Sequence, residues 1–212
     1  INSGRENTVF LPGVSLSPNL TATGDIAAAS KAEGIVFVVP AQHARAIFAE
    51  LRHAAADDAP IALCSKGVEQ ATGLLMTEVL AKVWPDASPA VLSGPSFARD
   101  VAKGLPTAVT LACADEALGR RWAATVGAPF FRPYLSTDMI GAELGGAVKN
   151  VLAIAAGVVD GRGLGESARA ALIARGFAEF QRLGVALGAD AQTMAGLSGL
   201  GDLILTASST QS

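Results

Sequence analysis

Basic clusters, metal-ligand clusters and aromatic residues are all scarce in this chain, and each scarcity closes off a class of function. Lys and Arg number 16 against 19 Asp and Glu, a net charge of -3, and no basic run stands out. That balance offers nothing to capture a polyanion, so no nucleic-acid partner is expected. His43 and His53 have no second ligand at zinc-like spacing, and no metal site is expected. Cys64 and Cys113 stand apart in strand-like runs. Buried free thiols in a reducing, cytoplasmic setting are the expectation. The longest apolar stretches are broken by Gly, Lys or Asp, so neither a transmembrane helix nor a signal peptide, and no membrane partner, is expected. No Gly-x-Gly-x-x-Gly occurs, and Gly161, Gly163 and Gly165 follow a helical pattern rather than a strand.

What is present is an Ala/Gly/Val/Leu-rich chain of 212 residues, half of them hydrophobic, enough for one large domain or two small ones. Ile35 to Val39 reads as a strand buried on both faces, followed by a helix over Ala41 to Ala55. Ile61 to Ser65 is a second strand, Gly73 to Val83 a helix with Leu74, Leu75, Val79 and Leu80 inward, and Ala90 to Ser93 a third strand. Thr107 to Ala112 and Phe130 to Pro133 follow as strands, with a helix over Glu116 to Val126 between them. This cadence predicts right-handed crossovers and a mostly parallel, Rossmann-like sheet. Beyond Ser136 the β-branched runs stop and helical patterns take over, the first capped by Thr137 or Asp138. The expected fold class is therefore α/β: an incomplete Rossmann-type parallel sheet over 1–136, then an all-helical region over 137–212. The start at Ile1 and the stop within a polar run at Ser212 point to a chain whose outer parts lie beyond these residues.

In an open parallel sheet, ligands sit beyond the carboxyl ends of the strands. Those ends carry Pro40-Ala41-Gln42, Ser65-Lys66-Gly67 and Gly94-Pro95-Ser96-Phe97-Ala98, which together offer a cation, hydroxyls and glycine-exposed amides. Lys66 reads equally as a solvated loop lysine, and Gly94-Pro95 as an ordinary turn. Lys149-Asn150 lies in a run of small and apolar residues, where an ammonium is tolerable if it opens into a ligand cavity and serves as proton donor. The alternative is a lysine snorkelling to water. Gly145, Gly146 and Ala142 on its face permit close approach by a ligand or by another helix. Asn150 is placed to orient a substrate hydroxyl. Asp202, after a glycine turn, is either a helix cap or a ligand to the site, with Thr206 one turn on and hydroxyls at Ser208, Ser209, Thr210 and Ser212.

Taken in order, Arg5-Glu6-Asn7, Phe10-Leu11-Pro12-Gly13, Val38-Val39-Pro40-Ala41-Gln42, Ser65-Lys66-Gly67, Gly94-Pro95-Ser96-Phe97-Ala98, Val148-Lys149-Asn150 and Gly199-Leu200-Gly201-Asp202 resemble the bacterial NAD(P)-dependent glycerol-3-phosphate dehydrogenases. The resemblance implies reversible reduction of dihydroxyacetone phosphate to sn-glycerol 3-phosphate with NAD or NADP, feeding glycerophospholipid synthesis. It implies Lys149 as proton donor and acceptor, Lys66 in contact with substrate and cofactor, Gly94, Ser96, Asp202 and Ser212 at the substrate, and Ala98 against the dinucleotide. Pro40, on the same rim, joins the expected cofactor contacts. Asn150 and Thr206 join the expected substrate contacts. The family's glycine-rich first loop, and the Arg-Asn pair that follows its last serine, do not occur in these residues. A β-hydroxyacid or phosphogluconate-type dehydrogenase, and a non-catalytic binder of a phosphorylated metabolite, are the competing expectations. A homodimer through the Ala-rich faces of the last helices is a further one.

Overall fold

A computed structural model describes residues 1–208. The first 34 residues are turns and one four-residue helix, α1 (Ile26–Ala29), capped by the Asp25 carboxylate. Beyond them stand five strands: β1 (Ile35–Phe37), β2 (Pro60–Leu63), β3 (Ser88–Ser93), β4 (Thr107–Ala112) and β5 (Phe131–Ser136). They form one sheet in the order β1-β2-β3-β4-β5. β1, β2 and β3 are parallel, and so are β4 and β5, but β3 and β4 pair antiparallel, with Leu92 opposite Leu111. The expected run of crossovers therefore breaks once. The β3–β4 connection holds only the five-residue α4 (Ala98–Ala102). A parallel crossover is usually built around a helix long enough to run back along the sheet; with only this short helix, the chain returns antiparallel.

Period-two alternation decides what each face buries. Ile61 and Leu63 of β2 face α2 (Ala44–Arg52) and α3 (Met76–Val83), in a core with Phe37, Phe48, Val79, Leu80 and Trp84. Ala62, between them, faces the opposite layer with Ala90, Leu111 and Trp122 of α5 (Glu116–Val126). β1 was expected to be buried on both faces and is not: Val36 is 48% exposed. Among the described strands it stands at the edge, and only its Phe37 side is covered by these residues. α3 begins at Met76 rather than Gly73, because Leu75 is extended and its N–H donates to the Glu78 carboxylate. Both cysteines are free. Cys113 is buried, and Cys64 is partly buried, its thiol pushed up to about 11 by burial.

From Asp138 the chain is helical: α6 (Met139–Gly161), α7 (Glu166–Ala186), α8 (Ala191–Ala195), a π-helical turn over Leu197–Gly201 and α9 (Asp202–Ser208). The Asp138 carboxylate caps α6 through Gly141 N–H, and its second oxygen accepts from Asp190 N–H ahead of α8. α6 alone is long and apolar enough to cross a membrane among the described residues. Its first turns pack inward, Ala142 against Val91 and Ala112 of the sheet and Leu144 against Phe180 and Met194, while Val151, Ile154 and Val158 further on are exposed.

Candidate active site

The loops that follow β1, β2 and β3 lie on one rim and are tied to each other. Ser65 Oγ donates to Val39 O at 2.5 Å; Gln42 Nε2 donates to Val68 O at 2.8 Å, and Gln42 Oε1 accepts from Gln70 N–H at 2.9 Å. The segment carrying Lys66 is thus fixed to the end of β1. Gly94 sits at φ +152°, where a Cβ would stand 3.0 Å from Val109 Cα, so glycine is required by both conformation and space. Its carbonyl accepts from Ser96 Oγ at 3.2 Å and lies 3.4 Å from Lys66 Nζ. Pro40, Ser96 and Ala98 are exposed along this rim.

α6 starts at the far end of the sheet because β5 runs opposite to β3. Ten residues of rise, about 15 Å, carry it back up to this rim. A Cβ on Gly146 would lie 3.1 Å from Lys66 Cγ and 3.3 Å from Ser93 Oγ, so the bare backbone here gives the Lys66 stem its passage. On Gly145 a Cβ would fall 2.3 Å from Ser198 O of the π-helical turn. Both glycines are thus filled by protein. Of the two expectations for this small-residue face, close packing is the one the structure meets.

The result is a three-residue cluster. Asp202, 1% exposed, opens α9; its Oδ1 accepts from Lys149 Nζ at 2.6 Å and its Oδ2 from Lys66 Nζ at 2.5 Å. The Asp202 side chain is therefore committed to the lysines and caps nothing. Neither lysine is a free surface group. Lys149 is 8% exposed, and burial pulls its pKa below the ordinary lysine value, with the Lys66 charge pulling the same way and Asp202 opposing. An ammonium so placed releases its proton more readily than one in water.

Thr206 Oγ1 donates to Asp202 O at 2.8 Å. Thr206 also lines, with Asn150, Ala153, Ile154, Gly157, Asp160 and Ala207, a cleft of about 390 Å³ beside the cluster. Asn150 is exposed and opens onto this cleft. Ser212 lies outside the described residues. Volume alone does not mark the site: a 470 Å³ depression beside β5 and α8 is larger but gathers no cluster of charges. The sequence placed Ser65 and Gln42 in the rim loops and in the family motifs, but not as the residues that tie those loops together. Ser93 was passed over; its buried hydroxyl has no hydrogen-bond partner among the described residues.

Comparison with known proteins follows this geometry closely. Residues 1–119 match the family model described as the NAD-dependent glycerol-3-phosphate dehydrogenase N-terminus, and residues 138–212 the one described as its C-terminus. The whole chain is 58% identical to a protein from Parvibaculum lavamentivorans named glycerol-3-phosphate dehydrogenase [NAD(P)+], of which it spans 64%. It is 59% identical to one of the same name from Rhodospirillum rubrum, of which it spans 61%. A crystal structure of glycerol-3-phosphate dehydrogenase from Coxiella burnetii superposes on 99% of the chain with a TM-score of 0.95 at 38% identity, the chain covering 65% of it.

Proposed function

The chain belongs to the NAD-dependent glycerol-3-phosphate dehydrogenase family, and from that premise we propose that it interconverts dihydroxyacetone phosphate and sn-glycerol 3-phosphate, using NAD or NADP. The observation that carries this reading is one buried carboxylate gripping two amines from distant parts of the chain. With both amines protonated the cluster holds one surplus positive charge, which suits an anionic substrate and a developing oxyanion. Residues 1–136 supply the dinucleotide contacts and share the substrate with 137–212, which carry Lys149.

The rim residues fit one flank of a nicotinamide dinucleotide. Pro40 and Ala98 are exposed, Lys66 is half turned to them, and the orphaned Ser93 hydroxyl lies beneath. When bound, the reduced cofactor supplies the hydride that C2 of the ketone accepts. Lys149 gives its Nζ proton to the C2 oxygen as the carbonyl π bond opens, and is left a neutral amine. In the reverse direction that amine takes the hydroxyl proton. Lys66 carries part of the charge on the oxygen until the proton arrives. Asp202 fixes both amines, while Gly94, Ser96, Asn150, Thr206 and Ser212 hold the rest of the substrate. Two free cysteines support a cytoplasmic setting, and the exposed Val151, Ile154 and Val158 of α6 support a homodimer as the assembly to test.

The test is cofactor oxidation by the full chain with dihydroxyacetone phosphate. Lys149→Ala should lower kcat by about 10²–10⁴-fold with the fold retained. Turnover of a 3-oxoacid in place of dihydroxyacetone phosphate, or a fully active Lys149→Ala, would overturn the assignment.

A further inference from the structure

Two amines can share one carboxylate only if the loop that carries Lys66 and the helix that carries Lys149 are held in register. Apart from the join at Ser136–Asp138, the hydrogen bonds and ion pairs linking residues up to 136 with later ones are, among the described residues, of two kinds. One is the Lys66–Asp202 pair of the site itself. The other is Glu143 of α6, 6% exposed, whose Oε1 accepts from Thr77 N–H at 3.0 Å and whose Oε2 accepts from the Thr77 hydroxyl at 2.5 Å.

Thr77 is the second residue of α3, so a carboxylate 66 positions away satisfies one of the free N–H groups at that helix's start. Beside it, Leu75 leaves the sheet core and packs with Leu144, Phe180 and Met194. The stretch from Lys66 to Thr77 is tied along its length: Gln70 to Gln42, Gly73 N–H to Glu69 O, and Thr72 Oγ1 to the Glu69 carboxylate, which also grips Arg45. One end of that stretch presents the Lys66 amine. The other is bolted to α6. Glu143 and Lys149 ride the same helix, about 9 Å apart along its axis.

We propose that Glu143 is a positioning residue: through Thr77 it latches α6 to α3 and so holds Lys149 opposite Lys66, without touching substrate or cofactor. The proposal rests on the two-lysine reading of the site. A displacement of 1 Å at a reacting group costs about 10²-fold in rate, so a latch of this kind acts on kcat rather than on KM.

The experiment uses the full chain with Glu143→Ala, Glu143→Gln and Thr77→Val. Glutamine keeps an acceptor for Thr77 N–H at the same reach. Glu143→Ala is expected to lose about 10- to 100-fold in kcat with KM little changed, Thr77→Val less, and Glu143→Gln to restore most of the rate. Alongside, acylation of the Lys149 amine is followed against pH by mass spectrometry. Loosened, Lys149 gains water, and its labelling midpoint should rise in Glu143→Ala and stay near wild type in Glu143→Gln. A drop in melting temperature with kcat of the folded enzyme unchanged overturns the latch, and so does a Lys149 midpoint that does not move in Glu143→Ala or Thr77→Val. If the wild type itself fails to reduce dihydroxyacetone phosphate, the proposed reaction falls, and the labelling midpoints alone decide the latch.

Discussion

The sheet half and the helical half of this molecule are held together by opposite means. Around β1 and β2 the core is made of large side chains: Phe37 and Phe48 with ring centroids 4.3 Å apart, then Ile61, Leu63, Leu80 and Trp84. Along α6 the inward positions include Gly141, Ala142, Gly145, Gly146 and Ala156. There the tightness comes from missing side chains, which let a backbone turn and a lysine stem come close. One half is sensitive to losing atoms and the other to gaining them, and the site is built by the second.

Paired substitutions put that contrast under strain most severely. Phe48→Ala, at a fully buried position, should cost about 3–5 kcal/mol in denaturant unfolding. The lysine chemistry of the protein that remains folded should be intact. Gly145→Ala adds one methyl group against Ser198 O and should cost about 1–3 kcal/mol. Its turnover should fall further than its stability, because the turn that aims Asp202 has to move. Equal activity losses in the two variants would dissolve the contrast.

A finer probe is Asp202→Asn. Burial and the neighbouring Lys66 charge already depress Lys149, and the carboxylate is what opposes them. The proposed reduction requires Lys149 protonated, so activity is expected to fall as pH rises through its depressed pKa. Without the carboxylate that alkaline limb should move to lower pH, read from kcat profiles of the two proteins.

The gentlest test sets two buried-side carboxylates against each other. Glu69, in the sheet half, is held down to about 2 by hydrogen bonds from Arg45 and Thr72. Its contribution is present above the ordinary carboxylate value and lost as pH falls toward 2. Glu143 is pushed up to about 7 by burial. The folded protein keeps that proton where the unfolded chain has released it, so this contribution is present at low pH and lost as pH rises from about 4.5 to 7. Glutamine stands in for the protonated acid at both positions, so both variants should melt near wild type at low pH and part from it as pH rises, Glu69→Gln falling below wild type and Glu143→Gln rising above it.

Much of this was legible residue by residue where periodicity alone decides. The strand over Thr107–Ala112 and the helix over Glu116–Val126 stand where their patterns put them. The Lys66 and Lys149 motifs were visible by their chemistry. Four things were not. The antiparallel return at β4 depends on a connection with only a short helix, whose path no local pattern encodes. Leu75 has the same apolar character as Leu74, yet the two enter different cores. Asp202 read as either a helix cap or a ligand to the site, but not as the clamp on two lysines, because those partners lie 136 and 53 residues away. Glu143 was overlooked for the same reason: a lone acid in an apolar helix signals a partner without naming it.

The widened turn at Leu197–Gly201 carries a last consequence. Asp202 N–H reaches back to Leu197 O, and Gly201 N–H to Gly196 O, so the ring closes over five residues where an α-helix closes over four. One surplus residue turns everything downstream by about 100° relative to ordinary winding. The carboxylate's bearing is thus set by a count of residues as much as by its own identity. Shortening that coil by a single amino acid would leave the acid in the chain and swing it away from both amines.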